Sequence, residues 1–275
     1  MKRIVSMQDI SCIGKCSLTV ALPIISAMGI ETAVIPTAVL STHTAFSDFT
    51  LRDLTGDIPG IIKCWEKEGF NFDAVYSGYL GSIEQISIVK ELFAKFSPGI
   101  KFVDPAMADE GDLYKGFDCN FVNEMKELCA EADVIVPNLT EACLLTDKKY
   151  SKDADEDYIK EIITRLGERG TGKVIMTGAS NSDDQYGAIC YDSKREIFTG
   201  YYNSRVDASY HGTGDIFASC LIGALTREMP IQKALKLAVD FTLESIVRTQ
   251  ADPKSNWYGV NFEQALSLLT DTVSK

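Results

Sequence analysis

A single α/β domain built on a mostly parallel sheet is the fold the sequence predicts, and three observations carry the prediction. Short apolar runs rich in β-branched residues alternate with segments of helical periodicity, the pattern of βαβ units. The chain opens that way: Arg3 to Ser6 reads as a strand, Ser17 to Met28 as a helix stopped by Gly29, and Thr32 to Pro36 as the next strand. No internal repeat or linker interrupts the 275 residues, 45% of them hydrophobic, so one domain over residues 1–275 with a sizeable core is expected.

Taken in order, the elements place polar residues repeatedly at strand ends, where open α/β sheets bind ligands. Met7 to Ser17 reads as the first such loop, containing Asp9 and the pair Gly14-Lys15. A P-loop is rejected there, because that pattern needs glycine where the chain has Asp9 and Ser or Thr where it has Cys16. Ser41-Thr42-His43-Thr44-Ala45-Phe46 forms a polar and aromatic loop suited to lining a small-molecule pocket. No second histidine or cysteine stands at ligand spacing from His43, which favours a hydrogen-bonding role over a metal one.

Ile58 to Glu68 is an amphipathic helix, and the strand Ala74 to Ser77 runs into Gly78-Tyr79-Leu80-Gly81-Ser82, where glycines flank an aromatic ring able to stack on a ligand. Helix Ile83 to Phe96 leads to the strand Lys101 to Val103 and then Asp104-Pro105, a carboxylate at a strand end. The acidic segment Asp109 to Gly116 is expected to be mobile, with Tyr114 in reach of a bound ligand. Helix Asn120 to Ala130 and strand Val134 to Val136 precede Asn138-Leu139-Thr140-Glu141. That quartet has capping-box spacing, and Glu141 with Asp104 also makes a pair able to hold Mg²⁺, often through water.

A polar loop, Asp147 to Asp157, leads to helix Tyr158 to Glu168 and strand Lys173 to Met176, closed by Thr177-Gly178. A hairpin follows, Tyr186 to Tyr191 with Arg195 to Tyr201, and Tyr202 to Tyr210 crosses to the glycine stretch Gly212-Thr213-Gly214-Asp215. Helices are expected at Asp215 to Thr226, Ile231 to Ala251 and Asn261 to Asp271. Two glycines let successive N–H groups converge while a helix N-terminus adds its dipole, so the stretch is an anion site. Asp215 then either caps the helix or takes a proton from a group held over the glycines.

Charge narrows the partners. With 27 Lys+Arg against 39 Asp+Glu the formal net charge is −12, which disfavours nucleic acid and anionic membrane surfaces and leaves small molecules. The absence of a signal-peptide core or an 18-residue apolar span suggests a cytoplasmic protein. Eight cysteines lie scattered without a CxxC pair and are expected to be reduced packing residues.

Carboxylates at 104 and 141, the hydroxyl at 177 and the Gly-Thr-Gly-Asp site together describe phosphoryl transfer. A Rossmann dehydrogenase fits poorly, since the first βα turn lacks GxGxxG. His211-Gly212-Thr213-Gly214-Asp215 with Ala218 resembles the C-terminal signature of ribokinase-like kinases. Within that group the chain is similar to pyridoxal kinases over nearly its whole length. The similarity rests on Ser41-Thr42-His43-Thr44, Ser77-Gly78-Tyr79-Leu80-Gly81-Ser82, Asp104-Pro105-Ala106-Met107 and Pro137-Asn138-Leu139-Thr140-Glu141.

The resemblance implies a ribokinase-like three-layer α/β/α sandwich without a separate lid domain, a homodimer, ATP as co-substrate, Mg²⁺, and a monovalent cation such as K⁺. It implies that Asp215 is the catalytic base and that Gly212, Thr213 and Gly214 form the anion hole. It further implies that Thr44 and Tyr79 face the pyridine ring, that Asp104 and Glu141 lie by the phosphates and Mg²⁺, and that Tyr114, Asn138, Thr177 and Thr213 lie along the nucleotide. One departure stands out: the family's first loop reads Gln-Ser, its serine touching the substrate, where this chain has Gln8-Asp9. Hydroxymethylpyrimidine kinases share fold and mechanism and are the alternative; a non-catalytic binding protein is disfavoured by the complete set of acidic and glycine residues.

Overall fold

The computed structural model describes residues 1–182, 184–206, 208 and 210–273. Nine strands form one sheet in the order β11-β10-β9-β8-β5-β4-β1-β2-β3. Its centre is parallel: β1 (Arg3–Ile13), β2 (Glu31–Thr42), β4 (Ala74–Ser77), β5 (Ile100–Val103), β8 (Val134–Ile135) and β9 (Lys173–Ser182). Antiparallel strands finish both edges, β3 (Leu51–Asp53) on one side, β10 (Gln185–Asp192) and β11 (Ile197–Ser204) on the other.

Helices cover both faces, because each central strand is apolar on both sides and a parallel sheet must bury both. Val5, Met7, Val75 and Val103 pack on one face against α2 (Ile58–Lys67), α3 (Ile83–Phe96), α4 (Cys119–Ala130), α5 (Leu139–Thr146) and α6 (Glu156–Glu168). Ile4, Ala74, Tyr76 and Phe102 pack on the other against α1 (Leu18–Ala27), α7 (Thr213–Thr226), α8 (Ile231–Ala251) and α9 (Ser267–Val273). This is the three-layer sandwich expected. Among the described residues no helix is long and apolar enough to cross a membrane.

Several elements depart from expectation. Strand β1 continues to Ile13, so most of the expected first ligand loop is strand; β2 runs to Thr42 and supplies a ladder partner over that polar stretch. Pro36 is tolerated inside β2 because β3 pairs only with Ala38 to Leu40, leaving the outer side beside Pro36 open. The β1–β2 register shifts between Gln8 and Ile10, which puts Asp9 at a bulge.

The segment expected to be mobile forms a small antiparallel ribbon, β6 (Ala108–Asp109) with β7 (Asp112–Leu113). Glu110 and Gly111 turn it at positive φ, and the Gly111 N–H donates to Thr140 Oγ1 at 3.0 Å. Thr177-Gly178 does not end β9, which runs on to Ser182 opposite β10. The last expected helix is broken into a 3₁₀ turn, Phe262–Ala265, and α9.

Candidate active site

The site lies across the C-terminal ends of the parallel strands, and strand order divides it. Asp9 in β1, Tyr79 after β4 and His43-Thr44 after β2 sit on neighbouring strands on one side. Asp104 after β5, Asn138 and Glu141 after β8, and Thr177 in β9 sit on the other. Helix α7 brings Asp215 to the middle, where its carboxyl senses the charge of both Asp9 and Asp104.

Asp215 is not the helix cap. Gly212 is, at φ 82°, and Asp215 stands in the first turn, its carboxylate accepting the Ser17 backbone N–H. Only glycine fits at 212, since an added Cβ would collide with the Lys15 carbonyl. Gly214 leaves open space where a Cβ would lie, and Thr213 Oγ1 donates to the Tyr210 carbonyl at 3.2 Å. Thr213, Gly214 and Asp215 occupy the first turn of α7, where backbone N–H groups lack intrahelical acceptors and are available to an anion. Burial, then the Asp104 charge, pushes the Asp215 carboxyl up to about 7.

On the β1–β2–β4 side, Asp9 is buried, with its pKa raised by that burial and held back by hydrogen bonds from the Ser17 and Ser11 side chains; Ser11 Oγ lies 3.2 Å from its Oδ2. Ser17 therefore links the two carboxylates, hydroxyl to Asp9 and N–H to Asp215, and it does so at φ 50°, a strained value for serine. Tyr79 is half-buried and feels the Asp9 charge, its ring 5.7 Å from that of Phe117. Thr44 is exposed at the rim.

His43 Nδ1 accepts from the Ala45 N–H at 3.2 Å, so Nε2 carries the proton and donates to the Tyr258 carbonyl at 3.1 Å. Its expected hydrogen-bonding role is met by backbone. Lys15 turns away from the site to Asn261 and Glu263, in keeping with the absence of a P-loop. Cys16, beside Asp9 and Asp215, is pushed up to about 12, chiefly by burial, and stays a thiol.

On the other side, Asp104 and Glu141 are buried together. Burial, then the Glu141 charge, pushes Asp104 up to about 8, and burial pushes Glu141 up to about 7. Glu141 closes a capping box with Asn138: Oε2 accepts the Asn138 N–H at 2.9 Å, and Oε1 accepts the Met107 N–H at 3.0 Å. Asn138 is equally committed, its Oδ1 to the Glu141 N–H and its Nδ2 to the Ala108 carbonyl. Tyr114, directly after β7, lies near enough to Glu141, Asp109, Asp104 and Asp215 for all four to raise its pKa beyond the effect of burial. Thr177 is half-buried in β9, its N–H on the Pro137 carbonyl at 3.2 Å.

Two buried carboxylates facing each other are costly unless a cation lies between them or a proton is shared. The pair thus fits Mg²⁺. Among the described residues no group of three or more acidic, histidine or cysteine side chains is placed to hold a metal, and both Glu141 oxygens already accept N–H bonds. Water and phosphate oxygens must complete the shell of any ion there.

Sequence reasoning missed Ser17, Ser11 and the segment around Trp257 and Tyr258. Ser11 and Ser17 both fall within the expected ligand loop, Met7 to Ser17, without a role of their own; nothing local marked Trp257 and Tyr258.

Residues 61–260 match the phosphomethylpyrimidine kinase family. The chain is 37% identical, at a TM-score of 0.92, to a candidate phosphomethylpyrimidine kinase of Bacteroides thetaiotaomicron solved with pyridoxal, covering 98% of this chain and 95% of that one. It is 29% identical to the pyridoxal kinase of Lactobacillus plantarum, at a TM-score of 0.92 over 99% and 98%. The hydroxymethylpyrimidine/phosphomethylpyrimidine kinase of Haemophilus influenzae is 29% identical over 66% of this chain and 67% of its own. The family match spans well over half the sequence and takes in both the Asp104–Glu141 pair and the Gly212 to Asp215 turn, so the chain belongs to the phosphomethylpyrimidine kinase family.

Proposed function

We propose that the protein transfers the γ-phosphoryl group of ATP to the exocyclic hydroxymethyl oxygen of a vitamin B6 vitamer (pyridoxal, pyridoxamine or pyridoxine), in salvage of pyridoxal 5′-phosphate. The observation that carries this reading is Asp215: a carboxylate held in the first turn of α7, beside an anion-binding glycine turn, between the Asp9–Tyr79 side and the Asp104–Glu141 side. Ionised Asp215 takes the hydroxyl proton as the oxygen forms its bond to phosphorus and the bond to ADP breaks. The N–H groups at Thr213 and Gly214 receive the charge on the transferred group. Asp104 and Glu141 would hold Mg²⁺, by way of water, and the ion would neutralise charge on the phosphate oxygens. Tyr114, Thr177 and Asn138 would lie along the nucleotide on this side, a role that the proximity of Tyr114 to Glu141 and Asp104 supports.

Pyridoxal in the Bacteroides relative favours a B6 vitamer over hydroxymethylpyrimidine; the Haemophilus relative favours the alternative. Purified protein with MgATP and each alcohol in parallel separates them. The highest kcat/KM should fall on a B6 vitamer, and a hydroxymethylpyrimidine ranking first would replace this reading with the second.

Asp9 is proposed to select among vitamers. A buried carboxylate at the substrate side favours a ligand amine over an aldehyde by a charge-assisted hydrogen bond. Asp9→Ser is expected to move the pyridoxal to pyridoxamine ratio of kcat/KM toward pyridoxal by roughly five- to tenfold, about 1–1.4 kcal/mol. An unchanged ratio removes Asp9 from specificity.

A further inference from the structure

We propose that Trp257 is a substrate-binding residue, forming the outer wall of the alcohol pocket and stacking on a flat, electron-poor heteroaromatic ring. This rests on the kinase reading above. Four rings run from the glycine turn to solvent: His211 to His43 at 5.0 Å, His43 to Phe46 at 4.9 Å, and Phe46 to Trp257 at 4.6 Å. Trp257 meets His43 edge-on, at 5.9 Å and 80°. The inner end of this row adjoins the chemistry, since His211 precedes Gly212 and His43 lies within the field of Asp9. The outer end is open: His43 is buried, whereas Trp257 is 59% exposed.

That exposure belongs to a residue on a well-tied segment. Lys15 Nζ donates to Asn261 Oδ1 at 3.0 Å and Glu263 Oε2 at 2.8 Å, the Asn261 N–H donates to Thr249 Oγ1 at 2.7 Å, and Asn261 Nδ2 donates to Asp252 Oδ2 at 3.1 Å. The Tyr258 carbonyl is bound to His43, and Gly259 packs so closely on Lys15 that a Cβ there would clash. The chain's other tryptophan, Trp65, is packed against Phe72 in the core layer, as a structural indole should be. A solvent-facing indole held in place on the alcohol side matches the rings of the proposed substrates, because an electron-rich face attracts electron-poor or protonated heteroaromatics.

The test compares wild type, Trp257→Ala and Trp257→Phe in two assays: steady-state kinetics in pyridoxal and in MgATP, and calorimetric binding of pyridoxal without nucleotide. Losing a stacking face from a flat heterocycle costs roughly tenfold in affinity. The alanine variant should therefore raise KM and Kd for pyridoxal about tenfold, with kcat and the MgATP KM within about twofold of wild type. The phenylalanine variant should recover to within about threefold. Pyridoxal affinity unchanged in the alanine variant overturns the assignment, as does a parallel rise in both KM values, or a change of mass in light scattering with pyridoxal affinity intact. Failure of the kinase reading looks different: wild type that binds pyridoxal without phosphorylating it.

Discussion

Replacing Asp215 with asparagine is expected to lower kcat by about 10²–10⁴-fold, the usual contribution of a general base, with the fold intact. Asparagine keeps an acceptor for the Ser17 N–H and removes only the charge, and helix α7 is capped by Gly212, so no cap is lost. The carboxyl is pushed up to about 7, first by burial and then by Asp104. In the free enzyme the acid limb of kcat/KM should therefore fall as pH drops through about 7, and the asparagine variant should lack that limb.

Stability moves the other way. A proton held more tightly folded than unfolded favours folding most below about pH 4, and that contribution is lost as pH rises through about 7. Calorimetric Tm of Asp215→Asn at pH 8 should thus equal or exceed wild type. Turnover within a few-fold of wild type would mean that Asp215 is not the base.

Asp104→Asn should cost activity on a similar scale, at least about 10²-fold in kcat/KM, with Mg²⁺ dependence shifted to higher concentrations, because the buried carboxylate proposed to hold Mg²⁺ is lost. Its effect on the metal-free protein is opposite in sign. Burial and the Glu141 charge push Asp104 up to about 8, and burial pushes Glu141 up to about 7. Each group therefore contributes stability at acid pH that fades as pH rises through those values.

Neutralising Asp104 removes its own burial cost and its repulsion with Glu141. In the absence of divalent ions the variant should melt a few degrees above wild type at pH 8, for a gain on the order of 1–3 kcal/mol. Its advantage should shrink toward pH 4. A variant less stable than wild type at pH 8 would show that the pair is a structural element and not a cation seat.

Much of this architecture was legible locally. The βαβ opening, the helices from Ile58 to Ala251 and the carboxylates at strand ends follow from periodicity and turn residues. What was not legible depends on partners distant in sequence. Gln8 to Ser11 is polar enough to read as loop, yet β2 supplies a ladder that carries β1 through it to Ile13. Asp215 looked like a possible cap because the spacing permits it; only the positive φ of Gly212 shows where α7 begins.

The acidic turn at Glu110-Gly111 suggested mobility, whereas the Thr140 hydroxyl and the Tyr150 ring hold it as a ribbon. Trp257 carries no local pattern at all. It reaches the site because Lys15, Thr249 and Asp252 tie the chain beside His43.

The central claim, phosphoryl transfer from ATP to a ring-borne hydroxymethyl group with Asp215 as base, is tested most directly by ³¹P NMR of one reaction run twice, with wild type and with Asp215→Asn. Pyridoxal and MgATP with wild type should yield ADP and a phosphomonoester whose signal is split by two methylene protons, with the asparagine variant slower by about 10²-fold or more. Unchanged ATP, inorganic phosphate as the sole new signal, or equal rates from the two proteins would contradict it.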